Sequence, residues 1–258
     1  MKVVLLAGGL GTRLSEETGI RPKPMVEIGG RPIIWHIMKC YAQYGLTDFI
    51  VLGGYRIEFI RQYFLNYRLF SSDFTVDLSN GDIVWSAAQS EPWRVTVLDT
   101  GLDTMTGGRM KRAREIIGNE TFCLTYGDGV GDVDIRKLIA FHRAGGTWAT
   151  VTAVEPPGRF GVLHFEEDDH KVKSFREKDG RDVGLINAGF FVCEPQVFDL
   201  IDDDTTVWEQ APMRRLVEQG QLRAYRHSGF WQSMDTLRDK AVLEEAWQKG
   251  APWKLWET

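Results

Sequence analysis

Cysteine and histidine are both scarce in this chain, and their placement removes several kinds of chemistry. Cys40, Cys123 and Cys193 each stand alone in an apolar stretch with no CxxC spacing. That pattern argues for buried free thiols in a reducing compartment, and against a disulfide scaffold or a zinc site. Of the five histidines, His36 falls on a helical stretch and the others sit in polar contexts without metal-ligand spacing. Neither a Ser-His-Asp nor a Cys-His mechanism has support. No apolar run approaches membrane-span length, and the strand-like residues 2–7 leave no signal peptide to read. No membrane association and a cytoplasmic location are the expectation. An excess of positive charge is also missing: 31 Lys and Arg against 36 Asp and Glu give a formal net charge of −5. Sequence-independent binding to nucleic acid or anionic lipid is therefore not expected, and any phosphate site must be a local basic feature on an acidic body.

The remaining composition is that of an ordinary globular chain, 43% hydrophobic and 26% charged, with nine Trp as a mild excess. Its 258 residues suffice for one large domain with a sizeable core. Val3–Ala7 is a continuous apolar run ending in glycines, the pattern of a strand buried on both faces. Pro32 opens a helical stretch to about Tyr44, with Ile33, Ile37 and Met38 on one stripe and Gly45 as its stop signal. Strands are predicted at 49–52, 95–98, 122–126 and 148–154, and helices at 58–67, 108–117 and 135–144. A flatter stretch, 71–90, reads as an inserted hairpin. This alternation predicts an α/β fold with a Rossmann-like, mixed but mostly parallel sheet flanked by helices. After Pro156-Pro157, strands at 161–165, 172–176 and 186–192 read as a smaller antiparallel lid. Helices at 195–201, 208–219 and 237–248 complete the chain. No repeat or low-complexity linker interrupts it, so a single domain is expected.

The strongest chemical signal is Gly8-Gly9-Leu10-Gly11-Thr12-Arg13-Leu14, directly after the first strand. Glycines let backbone N–H groups approach phosphate, and the carboxyl end of a parallel strand is where such folds place ligands. A dinucleotide fold would use a similar loop, but the acidic ribose ligand is missing: Leu52 runs into Gly53-Gly54-Tyr55. The P-loop lysine spacing is absent too. Instead the loop carries Arg13, and Lys23 follows between Pro22 and Pro24. A guanidinium grips two phosphate oxygens at once, and a lysine supplies a compact charge at one phosphate. Asp128, between two glycines after a buried strand, suits either a hard cation such as Mg²⁺ or a simple turn. Asp235, in an aromatic-flanked segment, is a second candidate carboxylate. Met105-Thr106-Gly107-Gly108-Arg109 opens a helix whose N–H groups would attract an anion, while Lys111, Arg112 and Arg114 read as its solvated face. Asn187 can donate to and accept from a hydroxyl, with a structural role at a strand end as a close competitor.

GGLGTRL followed by PKPM resembles the signature of the sugar nucleotidylyltransferases, the nucleoside-diphosphate-sugar pyrophosphorylases. Within that family, MTGGR at 105–109, YGDG at 126–129, PPGRFG at 156–161 and GFWQSMDT at 229–236 are similar to a cytidylyl-transferring branch. That branch acts on α-D-glucose 1-phosphate to make CDP-glucose for deoxysugars of surface polysaccharides. The resemblance runs in order over nearly the whole chain. It implies CTP and a sugar 1-phosphate as substrates, Mg²⁺ as cofactor, and a homo-oligomer. It further implies that Leu6, Ala7, Gly8, Gly9, Leu10, Gly11, Thr12, Arg13, Lys23, Thr106, Gly107, Arg109, Gly127 and Asp128 bind the nucleotide. Arg13 and Lys23 would be catalytic, Asp128 and Asp235 would share the metal, and Arg109 would contact base or phosphate. Tyr126, Glu177, Lys178, Asn187 and Gly189 would bind the sugar phosphate, although Asp179 stands where the family's Glu-Lys-Pro has proline. The implied division is a nucleotide-binding core at 1–155, a sugar-phosphate part at 156–236 and a C-terminal helix at 237–258. UTP or dTTP, or another sugar phosphate, remain open alternatives, as does a non-catalytic nucleotide-sugar sensor.

Overall fold

The computed structural model describes residues 1–88, 90–155, 162–165, 172–176 and 184–256, with side chains described except at 87, 88, 162–165 and 172–176. The PPGRFG stretch at 156–161 lies outside these residues, as do Glu177 and Lys178.

Seven strands form the central sheet: β1 (Val3–Ala7), β2 (Asp48–Gly53), β3 (Arg94–Asp99), β4 (Phe122–Tyr126), β5 (Ala149–Val154), β6 (Ile186–Cys193) and β7 (Leu222–His227). Their order is β7-β5-β6-β4-β1-β2-β3. All run parallel except β6, which is antiparallel to both β5 and β4. The main helices are α1 (Ile33–Ala42), α2 (Ile57–Leu65), α3 (Thr106–Arg112), α4 (Ile135–Gly145), α5 (Ala211–Glu218) and α6 (Leu237–Gln248). Alternate side chains of β1 explain its unbroken apolar run. Val3 and Leu5 pack with Ile33, Ile37 and Tyr41 of α1, while Val4 and Leu6 pack with Met110 of α3 and Ile117 on the other face.

The parallel register lines up the carboxyl ends of four strands. Ala7 pairs with Gly53, Gly53 with Asp99, and Leu6 with Tyr126. The loops that leave these ends therefore meet along one edge, the expected ligand position in an open α/β sheet.

Most predicted elements are found, with instructive differences. The hairpin expected at 71–90 is Ser72–Asp77 paired with Asp82–Ala88, and the antiparallel pair is Val162–Phe165 with Val172–Arg176. The strand expected in the lid at 186–192 is instead β6, inside the central sheet, because Gly189 is followed by residues buried on both faces. The single helix expected at 108–117 breaks at Ala113 into α3 and a short turn, Arg114–Ile117. The stretch at 195–201 is a 3₁₀ helix, Pro195–Leu200, and α5 starts at Ala211, three residues later than expected. Strand β7 has no apolar run of its own: it is a sheet edge carrying Arg223 and Arg226, as edge strands often carry charge.

The tryptophan excess has a structural cause. Residues after α6 fold back so that Trp253, fully buried, stacks on Phe230 at 5.5 Å and approaches His36. Trp247 lies against Gly29, where a Cβ would come within 2.0 Å of the indole nitrogen. His36 places Nε2 2.8 Å from the Ile28 carbonyl and accepts from Trp253 Nε1 at Nδ1. Burial pulls its pKa down to about 4, so the ring is a neutral core group with one tautomer fixed by its partners. This aromatic block packs on Ile28 and Gly29, in the hairpin that follows the segment presenting Lys23. Among the described residues no helix is long and apolar enough to cross a membrane.

All three cysteines are free and buried, and burial pushes the thiols of Cys40 and Cys123 up to about 12. Native protein should therefore leave Ellman's reagent unreacted at pH 8, with three thiols titrating after unfolding in guanidinium. A thiol that reacts before unfolding would contradict this packing.

Candidate active site

The loop after β1 needs its glycines for separate reasons. Gly11 has φ +64°, and a Cβ there would lie 2.7 Å from Thr18 Cγ2. Its carbonyl accepts from Leu14 N at 2.9 Å and from Thr18 Oγ1 at 3.1 Å, which closes the 3₁₀ turn Thr12–Leu14. Gly8 must lack a side chain because the Arg109 guanidinium fills the space, with Nη1 2.2 Å from where a Cβ would be. Between them Gly9 and Leu10 are exposed. The loop walls a cavity of about 490 Å³ together with Leu6, Ala7, Lys23, residues 102–106, Arg109, and Tyr126, Gly127 and Asp128. That volume suits a nucleotide-sized ligand.

The charge centre lies at the rim of this cavity. Lys23 Nζ is 2.7 Å from Asp128 Oδ2 and 2.7 Å from Asp235 Oδ1, and Arg13 Nη2 is 3.2 Å from the same Asp235 oxygen. Local chain geometry puts each group there. Pro22 and Pro24 flank Lys23 in a 3₁₀ turn, closed by Met25 N donating to the Pro22 carbonyl at 2.8 Å. Asp128 and Asp235 are joined by a short antiparallel ladder, Gly129–Gly131 with Trp231–Ser233, in which Gly129 pairs with Ser233. Met234 N then donates to the Asp128 carbonyl at 2.8 Å. Asp235 itself is held from behind by Asp239, whose Oδ2 accepts from Asp235 N, Thr236 N and Thr236 Oγ1 in a capping box that starts α6.

Electrostatics follow from this packing. Burial alone would lower the pKa of Lys23, but the two carboxylates outweigh it and hold the ammonium above its ordinary value. Burial opposes ionisation of Asp235, yet Lys23 and Arg13 prevail and keep its carboxyl below the ordinary aspartate value. One small cation thus already sits between the two carboxylates, in the form of an ammonium. A divalent ion at the same pair would draw on these two carboxylates alone, because among the described residues no group of three or more His, Cys, Asp or Glu gathers. Two carboxylates with the remaining positions open to phosphate oxygens and water are what Mg²⁺ prefers.

Arg109 and the start of α3 are arranged differently from the sequence expectation. Arg109 is 4% exposed, and its guanidinium donates to the carbonyls of Gly8, Gly53, Gly101 and Leu102 and to Thr100 Oγ1. It knots together the loops that leave β1, β2 and β3, and lends their polar wall a positive charge that no carboxylate among the described residues pairs directly, Asp99 acting on it only at longer range. Burial lowers its pKa. The N–H groups of Gly107 and Gly108 both donate to the Thr206 carbonyl, so this helix terminus is capped by protein and not left for an anion. Gly107 accordingly lies behind the cavity wall. The segment just before this cap, residues 199–204, is acidic. It binds the three cations read as a solvated face: Arg112 pairs with Asp204, Arg114 with Asp199, and Lys111 Nζ donates to the carbonyls of Ile201 and Asp202.

On the opposite wall, the Tyr126 ring covers Gly189, whose φ of +81° and missing Cβ allow a contact that would otherwise be 2.4 Å. Asn187 Oδ1 accepts from Gly189 N at 2.8 Å, and its Nδ2 donates to Tyr126 Oη at 3.2 Å. Trp231 Nε1 donates to the Ala188 carbonyl, which ties this turn to the ladder carrying Asp235. Two contributors escaped sequence reasoning. Asp239 was signalled by its spacing three residues after Thr236, whereas Glu209, which binds Tyr126 and Thr106, carried no motif at all.

The "Nucleotidyl transferase" family model matches residues 2–236. The chain is 55% identical over 259 residues to glucose-1-phosphate cytidylyltransferase of Salmonella typhi, covering 100% of both chains. It is 45% identical over 258 residues to the probable glucose-1-phosphate cytidylyltransferase of Bacillus subtilis, covering 99% of this chain and 100% of that one. Among solved structures, HddC from Yersinia pseudotuberculosis superposes with a TM-score of 0.70 over 95% of this chain and 99% of its own. At 24% identity that likeness is one of fold.

The capping box makes a direct prediction. Asp239→Ala leaves the N–H groups of Asp235 and Thr236 without their carboxylate, which should cost about 1–3 kcal/mol of stability. The change should also lower activity through the displaced Asp235. A urea midpoint and turnover rate both equal to wild type would remove Asp239 from the account.

Proposed function

The chain belongs to the nucleotidyl transferase family, and we propose that it transfers the cytidylyl group of CTP to α-D-glucose 1-phosphate, giving CDP-glucose and pyrophosphate. The observation that carries the reading is the convergence of Lys23, Asp128 and Asp235 at the rim of the glycine-loop cavity. Full-length identity of 55% to an enzyme of that name supplies the choice of base and sugar.

A phosphate oxygen of glucose 1-phosphate attacks the α-phosphorus of CTP. A new P–O bond forms as the bond to the bridging oxygen breaks, and pyrophosphate leaves. The attacking oxygen is already ionised, so no general base is needed, and the task is to align two anions and neutralise charge. The exposed loop amides around Gly9 and Leu10 cradle the triphosphate. Arg13, three-quarters exposed and anchored among the described residues through Asp235, is free to reach the departing pyrophosphate. Lys23 is held at the α-phosphate position by its prolines and supplies charge where the phosphorus becomes pentacoordinate. Arg109 adds fixed positive potential from beneath the loop. Asp128 and Asp235 would hold Mg²⁺, which when bound makes the α-phosphorus more electrophilic and screens the approach of the second anion. Tyr126, Asn187 and Gly189 form the sugar side. The reading extends to a homo-oligomer and to a role in supplying deoxysugars for surface polysaccharides.

A pyrophosphate-release assay tests it: CTP with glucose 1-phosphate should turn over, and the other triphosphates should be poor. Equal or better turnover with UTP or dTTP would replace the assigned base. Lys23→Ala should lower kcat on the order of 100-fold with a smaller change in KM, since its charge matters most in the transition state. A folded Lys23→Ala protein with near-normal kcat would return this lysine to a structural role.

A further inference from the structure

Glu209 lies in the segment between β6 and α5, on the surface, with no assigned part in the reaction. Its two carboxylate oxygens nevertheless join opposite walls of the cavity. Tyr126 Oη donates to Oε1 at 2.6 Å, and Thr106 Oγ1 donates to Oε2 at 2.7 Å. Thr106 opens α3 on the nucleotide side, and Tyr126 ends β4 two residues before Asp128. Both residues line the cavity.

The bonds around Tyr126 run in one direction. Gly189 N donates to Asn187 Oδ1, Asn187 Nδ2 donates to Tyr126 Oη, and Tyr126 Oη donates to Glu209. The carboxylate is acceptor-only, so it forces the phenol to donate toward it and to accept from behind. That in turn fixes which end of the Asn187 amide faces Tyr126 and which faces the Gly189 turn. Without Glu209 the phenol can rotate its proton, and the Asn187 amide loses the reason for its orientation. Chains of this kind strengthen when they end on a charge. Burial and the neighbouring carboxylate both raise the Tyr126 pKa, so the hydroxyl keeps its proton.

We propose that Glu209 is a positioning residue for the sugar side of the site, acting through Tyr126 on Asn187 and the Gly189 turn. The inference rests on the reading of Tyr126 and Asn187 as sugar-binding groups. Because Glu209 is exposed, and Thr106 Oγ1 also accepts from Trp208 N, removing the carboxylate opens no core and leaves α3 docked. The role predicts a selective defect: the glucosyl group should bind less well while the cytidine nucleotide binds as before.

The test compares wild type, Glu209→Ala, Glu209→Gln, Tyr126→Phe and the Glu209→Ala/Tyr126→Phe double variant. Glu209→Ala should raise KM for glucose 1-phosphate by roughly 5- to 50-fold, the size of one lost charge-assisted hydrogen bond, with KM for CTP within about twofold. Glu209→Gln keeps an acceptor for Tyr126 and should recover most of the loss. The double variant should be no worse than Tyr126→Phe, because the phenol is the route of the effect. Calorimetry reads the same quantity without turnover: the affinity ratio of CDP-glucose to CDP should fall in Glu209→Ala. An unchanged ratio, an equal rise in both KM values, or independent losses in the double variant would overturn the proposal. Failure of the proposed reaction would show separately, as absent pyrophosphate release from wild type.

Discussion

The ammonium of Lys23, held 2.7 Å from each of two carboxylates, is the contact on which the rest of the site depends. Asp128 and Asp235 come from distant parts of the chain, and like charges at that separation repel unless a cation lies between them. The fold meets this constraint twice. It supplies a permanent cation on a segment stiffened by two prolines. It also fixes the backbones of both aspartates with a three-residue ladder, a main-chain bond and a capping box, so that their convergence does not rely on the side chains alone. A phosphate-rich substrate entering the cavity offers Lys23 new partners, and a divalent ion offers the carboxylates one. The arrangement is thus both a resting state and a preorganised one.

A second design element is the buried guanidinium of Arg109. Four carbonyls and a threonine hydroxyl satisfy it, and among the described residues no acid forms an ion pair with it. Its charge therefore reaches the cavity from below the glycine loop, while its hydrogen bonds hold the loops after β1, β2 and β3 in register. Gly8 and Gly54 are required for the same reason, since a Cβ on either would collide with this side chain. The pattern is indirect electrostatic support: the wall carries the charge, and the loop amides around Gly9 and Leu10 stay exposed above it.

Much of this was legible in the sequence where a local rule decides the outcome. Doubly buried strands such as β1 and β4 announce themselves by unbroken apolar runs, and the helix of residues 237–248 is bounded as its pattern predicts. The glycine loop, Arg13, Lys23 and Asp128 were likewise visible, because each follows a strand or is fixed by proline. What sequence could not give was pairing between distant segments. The three-residue strands that bring Asp235 to Asp128 are too short to carry a period. The place of β6 inside the sheet depends on which strands flank it, not on its own pattern. The capped terminus of α3 and the role of Glu209 arise from a loop about a hundred residues away folding over the helix, and nothing near Gly107 signals it. Local chemistry was readable, and its closure by remote backbone was not.

The central claim is that Asp128 and Asp235 act as one unit on one cation. A double-mutant cycle with Asp128→Asn and Asp235→Asn, in kcat/KM across a Mg²⁺ titration, tests it most directly. Each change alone should abolish most activity and shift the Mg²⁺ dependence to higher concentration. The double variant should then lose little more than either single one, because residues that work as a unit are not additive. Independent, multiplicative losses would mean that the two aspartates do separate jobs, and the shared site described here would be wrong.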